Sequence, residues 1–232
     1  MLYVQRFVKV YLHLSANLMD GMKRITGAIP AKLLLYIAVV GASSTTLCTY
    51  LLNYHPQSQD FSWLDAFFWM GLVAWSTRVA VNLPFSASMS HLFVIALGAI
   101  VIFPPWLAMV IVAIGYFSSD LGKPTFPWYK DVFNRAQTSL SVGVASLTWH
   151  FFTKTSPVSI GNIDASSAVG IAASSLIFFV VNISLVSYAI HLASGAPIRK
   201  VWADNFRWLS ASYFILAPIG LFMARAYQTP LV

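Results

Sequence analysis

The apolar segment at residues 165–192 constrains the fold more than any other feature of the sequence. At about 1.5 Å per helical residue, it is longer than the roughly 30 Å of hydrocarbon that a transmembrane helix must cross. Asn182 is its main internal polar residue, and Gly170 with Ser174 forms a pair of small residues that allows another helix to approach closely. The segment predicts a membrane-spanning helix that packs against a neighbour.

Composition extends this prediction to the whole chain. Hydrophobic residues make up 58% of the sequence and charged residues only 9%, against about 25% charged residues in an ordinary soluble domain. So little charge cannot coat a soluble surface. We expect an all-α fold, a polytopic transmembrane helical bundle of about six or seven spans that includes a hairpin of short helices.

Other apolar segments supply the remaining spans, at Ala31–Asn53, 61–82 and 208–225. The segment at residues 83–120 differs, because Pro104 and Pro105 divide it into halves that are each too short for a straight span. It predicts a tight hairpin of two short helices. Non-helical backbone at membrane depth is tolerated only where protein or a water-filled cavity covers it, so the hairpin is the candidate wall of a pocket.

The N-terminal residues 1–29 are interpreted as a cytoplasmic segment, and residues 30–232 as one transmembrane domain. Leu2, Phe7 and Leu14 recur at helical spacing with Arg6 and Lys9 between them, which predicts an amphipathic interfacial helix. A helix docked on the protein's own cytoplasmic face explains the pattern equally well. No short apolar core with a cleavage site follows, which argues against a signal peptide.

The net charge of +7 indicates loops that face the cytoplasm and anionic headgroups, and we expect no nucleic-acid partner. Basic loops are predicted before the first span, after the hairpin and before the last span. They hold Lys23, Arg24, Lys123, Lys130, Arg135, Arg199, Lys200 and Arg207. With the hairpin counted as two crossings, these loops share one side, which predicts a cytoplasmic N-terminus and, after seven crossings, an outside C-terminus.

The helix predicted over residues 132–152 has three distinct faces. The polar arc holds Asn134, Gln137, Thr138, Ser141, Ala145 and Thr148, the small-residue arc holds Ser139, Gly143 and Ser146, and the apolar arc holds Phe133, Leu140, Val144, Leu147 and Phe151. Such a helix should be enclosed by other helices. We expect its polar arc to face the hairpin, and any ligand site to lie between these two elements.

Several short motifs carry a resemblance to a known family. They are Asn82-Leu-Pro84, Ser86-Ala-Ser88, Ser119-Asp120, Phe133-Asn134, Ala136-Gln137, Leu140-Ser141, Val181-Asn182 and Asn205 with Trp208. From Ala31 onward the chain resembles the polytopic sensor modules that precede HD-GYP and GGDEF signalling domains in bacteria. The resemblance implies a multi-pass domain of the bacterial inner membrane that feeds a cytoplasmic output. Neither catalytic domain lies within the sequence, so cyclic-dinucleotide chemistry is not implied.

No pattern in the chain indicates an enzyme. Its five histidines form no paired metal or haem ligands, and Cys48 is the single cysteine. Nucleophile-elbow, phosphate-loop and paired-carboxylate motifs are absent from the sequence. We therefore expect no catalytic residues, metal or cofactor, although a pocket of this kind can hold a lipid or another apolar ligand. The candidate ligand contacts are Asn134, Gln137, Ser141, Asn182, Asp120 and His91.

Three functions fit these expectations. The favoured one is a non-catalytic accessory or scaffold subunit of a membrane complex, derived from a sensor-type domain and partnered by the bilayer and by other membrane subunits or copies of itself. The first alternative is a sensory or receptor domain that binds a small molecule and signals through a separate partner. The second is the substrate-binding subunit of a transporter, because the hairpin followed by Ser119-Asp120 is similar to such subunits of energy-coupling-factor vitamin transporters.

Overall fold

The computed structural model describes residues 29–54, 61–79, 81–82, 88–89, 92–117, 128–155, 159–160, 163–205 and 209–228. These residues form eight helices: α1 (Ala31–Tyr54), α2 (Trp63–Arg78), α3 (Leu92–Ile102), α4 (Pro105–Gly115), α5 (Trp128–Thr155), α6 (Ala165–Ser194), α7 (Ile198–Asn205) and α8 (Leu209–Gln228). Two antiparallel hairpins add strands of two residues each. They pair β1 (Val81–Asn82) with β2 (Ser88–Met89) and β3 (Ser159–Ile160) with β4 (Ile163–Asp164). The prediction of an all-helical bundle is confirmed.

Two helices of the described chain are long and apolar enough to cross a bilayer, Ala31–Asn53 within α1 and Ser166–Ser194 within α6. Shorter apolar helices occur at Leu92–Ile102, Pro105–Gly115 and Ile215–Tyr227. The first predicted span and the long apolar segment therefore appear as expected. The total of six or seven spans stays a prediction, and the N-terminal segment lies outside the described residues apart from its last residue.

Contacts along the bundle show that α1, α5 and α8 run in one direction and α2, α4 and α6 in the other. The pairs that define these directions are Tyr36–Phe133, Leu47–Gly143, Gln137–Asn182, Trp149–Gly170, Ser139–Met109, Arg135–Ala113, Phe61–Trp106, Thr77–Phe117 and Arg225–Ser167. We call the end that contains α7 and the beginnings of α1, α5 and α8 the α7 end.

The predicted hairpin of short helices is confirmed, and it lies in the interior of the bundle. The helices α3 and α4 have 11 residues each, which corresponds to about 16 Å. Pro104 is the N-cap of α4 and Pro105 its first residue, a position where the missing N–H group costs no helical hydrogen bond. Most residues of both helices are buried, so protein covers the irregular junction between them.

The hairpin approaches its neighbours closely at two glycines. A Cβ atom added at Gly98 of α3 would lie 2.5 Å from Trp69 Cη2, and one added at Gly220 of α8 would lie 2.8 Å from Leu97 Cβ. Both distances are far below ordinary van der Waals contact. Glycine at these positions therefore permits α2, α3 and α8 to pack at their observed separation.

Two regions expected to be basic loops are helical instead. Lys130 and Arg135 lie within the first turns of α5, which begins at Trp128. Arg199 and Lys200 lie in α7, which follows a sharp break after α6. Gly195 makes this break with a φ of 73°, a left-handed conformation that glycine adopts at the ends of helices.

Candidate functional site

The centre of the candidate site is a hydrogen bond between two side-chain amides, one from α5 and one from α6. Asn182 Nδ2 donates to Gln137 Oε1 at 2.9 Å. Gln137 is buried and Asn182 half-buried. Gln137 Nε2 in turn donates to Thr138 Oγ1 at 2.9 Å. The three side chains form a short polar chain between the two longest described helices, and we call them the polar junction.

The other candidate contacts on α5 lie near the polar junction. Ser141 is fully buried one turn beyond Gln137, and its Oγ donates to the Gln137 carbonyl oxygen at 2.7 Å. Asn134 lies nearly one turn before Gln137 and is half-buried. Four of the six candidate residues therefore lie in one region of α5 and α6. The other two, His91 and Asp120, lie outside the described residues.

The polar arc of α5 faces α6, which corrects the expectation that it faces the hairpin. Instead, the small-residue arc faces the hairpin: Ser139 Oγ donates to the Met109 carbonyl oxygen at 3.1 Å, and a Cβ at Gly143 would lie 2.5 Å from Met109 Sδ. The physical reason is that α4 reaches α5 most closely where α5 has the smallest side chains.

Three buried serine hydroxyls around these interfaces make no hydrogen bond within the described structure. They are Ser146 Oγ on α5 and Ser174 and Ser187 Oγ on α6. A buried hydroxyl without a partner destabilises the folded state by about 1–3 kcal/mol.

A second polar cluster joins α5 to the C-terminal end of α4. Arg135 Nε donates to Asp131 Oδ2 at 2.7 Å, while Arg135 Nη1 donates to the carbonyl oxygens of Ala113 at 3.0 Å and Ile114 at 3.3 Å. The guanidinium carbon of Arg135 also lies 5.1 Å from the ring centroid of Phe117. We call Arg135 and Asp131, with these α4 contacts, the α4 clamp.

The α4 clamp was missed at the sequence level because Arg135, although it lies inside the helix predicted over residues 132–152, was counted only with the basic residues of the preceding loop. The available signal was the spacing of Asp131 and Arg135, which is i,i+4 and typical of an ion pair on one helix. Within the described residues, no group of three or more His, Cys, Asp or Glu side chains is arranged to hold a metal ion. The polar groups described here are therefore amides, hydroxyls and one ion pair.

We expect the amide pair to have a small but measurable coupling energy. In a double-mutant cycle of Gln137→Ala and Asn182→Ala, the coupling free energy should be about 0.6 kcal/mol and at most about 1.7 kcal/mol, the range for hydrogen bonds inside membrane bundles. Reversible unfolding in mixed micelles measures it. A cycle of Gln137→Ala with Ser184→Ala, an exposed α6 residue, is the control and should show no coupling. Equal coupling in both cycles would exclude a specific amide bond.

The fold and the junction define a membrane-type helical bundle with a polar contact between its two longest described helices. The MASE9 family profile matches residues 22–232, and the chain belongs to this family. MASE domains are membrane-associated sensory domains. Neither the curated proteins nor the solved structures contain a match to the chain.

The family confirms the coarser part of the sequence-level resemblance, namely that the chain is a membrane-associated sensory module. It does not connect the chain to HD-GYP or GGDEF output domains. The family also supports a sensory role at least as well as the accessory-subunit role that the sequence favoured. The nature of the signal and the output belong to the proposal below.

Proposed function

We propose that this chain is a non-catalytic membrane sensory domain that transmits a signal through the contact between α5 and α6. A small apolar or amphipathic molecule binds beside the polar junction. Its binding changes the relative populations of two states, one in which the Asn182–Gln137 hydrogen bond is formed and one in which it is broken. The output passes to a separate partner on the cytoplasmic side, and no cofactor or metal takes part. The observation that carries the proposal is the Asn182–Gln137 hydrogen bond.

The energy of this bond suits a switch. An intramembrane hydrogen bond contributes about 0.6 kcal/mol on average, so a ligand needs only a modest difference in affinity between the two states to change their populations. A rigid apolar interface between α5 and α6 would offer no such alternative state. The polar junction therefore serves as the two-state element that a sensory mechanism requires.

The amide groups of the site define the kind of ligand. The bond to Gln137 uses Asn182 Nδ2 and not Oδ1, and Asn134 lies half-buried nearly one turn before Gln137. Asn182 Oδ1 accepts a hydrogen bond, and the Asn134 amide both donates and accepts. Phe133, Tyr36 and Leu185 provide apolar surface nearby. This combination fits an uncharged amphipathic molecule that carries a hydroxyl or amide N–H group.

The distribution of charge supports a cytoplasmic α7 end. Described basic residues at this end are Lys32, Arg78, Lys130, Arg135, Arg199 and Lys200, whereas Lys154 and Arg225 lie at the opposite end. Basic residues favour the cytoplasmic side of membrane proteins. We propose a bacterial inner-membrane protein in which α1, α2, α5, α6 and α8 cross the bilayer and the α3–α4 hairpin supplies the remaining spans of the expected six or seven. The N-terminus is then cytoplasmic.

The test is to identify what the purified protein retains. Wild-type protein and the Gln137→Leu/Asn182→Leu variant are purified under identical conditions, and their organic extracts are compared by mass spectrometry. We expect an amphipathic molecule in the wild type near one copy per chain and a loss of at least about tenfold in the variant, because about 1.4 kcal/mol of lost contact gives this factor. Ser184→Leu, on the exposed side of α6, is the control and should retain the molecule.

Equal ligand content in all three proteins would contradict a ligand site at the polar junction. A second candidate, the accessory subunit, is supported by the exposed aromatic side chains Trp63, Phe67, Phe68 and Trp75 on α2. This candidate predicts that other membrane proteins co-purify in fixed stoichiometry and that no molecule is retained. A monomer with a retained molecule would contradict it.

A further inference from the structure

The short helix α7 packs one side against α6 and exposes the others. Val201 is 4% exposed and belongs to a small cluster with Phe179 and Ile183 of α6. Ile198 and Trp202, four residues apart and therefore on one face of the helix, are 42% and 43% exposed. Both exposed apolar side chains thus lie beside the docked side of α7 rather than within the core.

Two cations lie on the remaining sides of α7, whose sequence also contains Asp204. Arg199 and Lys200 are exposed, and at 100° per residue they flank Val201 at about 160° and 100° on opposite sides. Within one short helix, an apolar strip, a tryptophan and two cations therefore surround the docking contact. This arrangement is typical of a helix that lies in the plane of a membrane interface.

The α7 end carries further groups of the same kind. Trp128 is 63% exposed at the first residue of α5, and Lys130 beside it is also exposed. The antiparallel packing of α5 and α6 places these residues at the level of the end of α6, near α7. Exposed tryptophans and cations therefore occur at one depth on neighbouring elements, as in the interfacial belts of membrane proteins.

We propose that α7 is a binding surface for anionic phospholipid headgroups, with Arg199 and Lys200 contacting the phosphates and Ile198 and Trp202 inserted at the headgroup–acyl boundary. Charge complementarity selects this partner, because Arg199 and Lys200 outnumber Asp204, the acidic residue of α7, and Lys130 is a further exposed cation at the same end. The proposal does not depend on a ligand at the polar junction and holds for a sensor or an accessory subunit alike.

The surface also has a direct structural connection to the site. Phe179 and Ile183, which belong to the same cluster as Val201, lie on α6 three residues before and one residue after Asn182. His191 Nδ1, at the end of α6, donates to the Ala196 carbonyl oxygen at 2.7 Å and so stabilises the connection to α7. Headgroup binding on α7 therefore acts on the part of α6 that contributes to the polar junction.

Lipid titration of the full chain tests the proposal. Phosphatidylglycerol or phosphatidylcholine is added to delipidated protein in detergent, and native mass spectrometry gives the ratio of their association constants. We expect the wild type to prefer phosphatidylglycerol. The double variant Arg199→Gln/Lys200→Gln should reduce this preference by about fivefold for each cation removed, because each cation near an anionic surface contributes about 1 kcal/mol. The charge-conserving variant Arg199→Lys/Lys200→Arg should keep the preference.

A matched control comes from the opposite end, where Lys154→Gln removes a cation from the last turns of α5 and should leave the preference unchanged. The proposal fails if Arg199→Gln/Lys200→Gln keeps the wild-type preference, or if Lys154→Gln lowers it equally. It also fails if the α7 variant keeps the lipid preference and instead loses a stoichiometric protein partner, which would make α7 a protein-docking surface. Both glutamine substitutions are on exposed positions, so the folded bundle is expected to persist, and its elution volume checks this.

Discussion

Gly98→Ala is expected to destabilise the bundle by about 1–3 kcal/mol, the usual effect of excess volume in a well-packed core. The added Cβ would lie 2.5 Å and 2.8 Å from two carbon atoms of the Trp69 ring. Trp69 cannot move away easily, because it is fully buried and contacts the rings of Phe103 and Tyr227. Thermal unfolding in detergent, followed by size-exclusion chromatography, should show a lower transition temperature than that of the wild type.

A second substitution and a control separate this clash from a general intolerance of alanine. Trp69→Phe in the Gly98→Ala background should recover part of the loss, because phenylalanine is smaller and the Trp69 Nε1 group has no hydrogen-bond partner within the described structure. Gly71→Ala is the control: a Cβ added there meets no atom within 4 Å, and alanine favours the helix by up to about 1 kcal/mol. Equal losses for Gly98→Ala and Gly71→Ala would contradict the close approach of α3 and Trp69.

Hydrophobic length and proline position predict much of this fold. The span expected at Ala31–Asn53 differs from α1 by a single residue at its end. The pair Pro104-Pro105 divides the hairpin at the observed place because proline cannot continue a helix but is accepted at its first turn. These features depend on local covalent geometry and on bilayer thickness, both of which can be read from a single chain.

The helix α7 was not predicted, because its charge and short length resemble a loop. Its helical signal is present in Ile198, Val201 and Trp202, which have i,i+3 and i,i+4 spacing. Eight residues rarely form a stable helix alone, and α7 depends on the contact of Val201 with α6. Tertiary packing therefore determines that α7 is helical, because the periodicity of eight residues is too short a signal to predict a helix.

Gln137, Ser141 and Asn182 lie together in the structure, but the predicted neighbour of their arc was wrong, and their role as ligand contacts stays a prediction. A helical wheel groups Gln137 with Ser141 correctly, and Asn182 stands out as a polar residue in an apolar segment. The wheel gives only the angle of each side chain, however, and does not say which neighbouring helix occupies that angle. The neighbour depends on how closely helices can approach, and the small residues Ser139 and Gly143 admit α4 on another side.

Arg135→Gln is the other substitution with a large expected effect, a loss of about 2 kcal/mol, since hydrogen bonds to a charged group contribute about 1.5–3 kcal/mol. The guanidinium binds Asp131 and two carbonyl oxygens in the last turn of α4, where the helix dipole also favours a cation. The side chains of Arg135 and Asp131 are 27% and 14% exposed, so solvent screens only part of the interaction. Equilibrium unfolding in mixed micelles measures the loss.

Arg78→Gln is the matched control for this effect, because Arg78 is exposed and its guanidinium carbon lies 5.8 Å from the centroid of the same Phe117 ring. A cation–π contact at an exposed site contributes only about 0.5–1 kcal/mol. Adding Asp131→Asn to Arg135→Gln should recover part of the loss, because no charged carboxylate then stays partly buried without its partner. If Arg135→Gln destabilises the bundle no more than Arg78→Gln, then the α4 clamp does not hold α4 against α5, and packing at Met109 and Gly143 alone positions the hairpin.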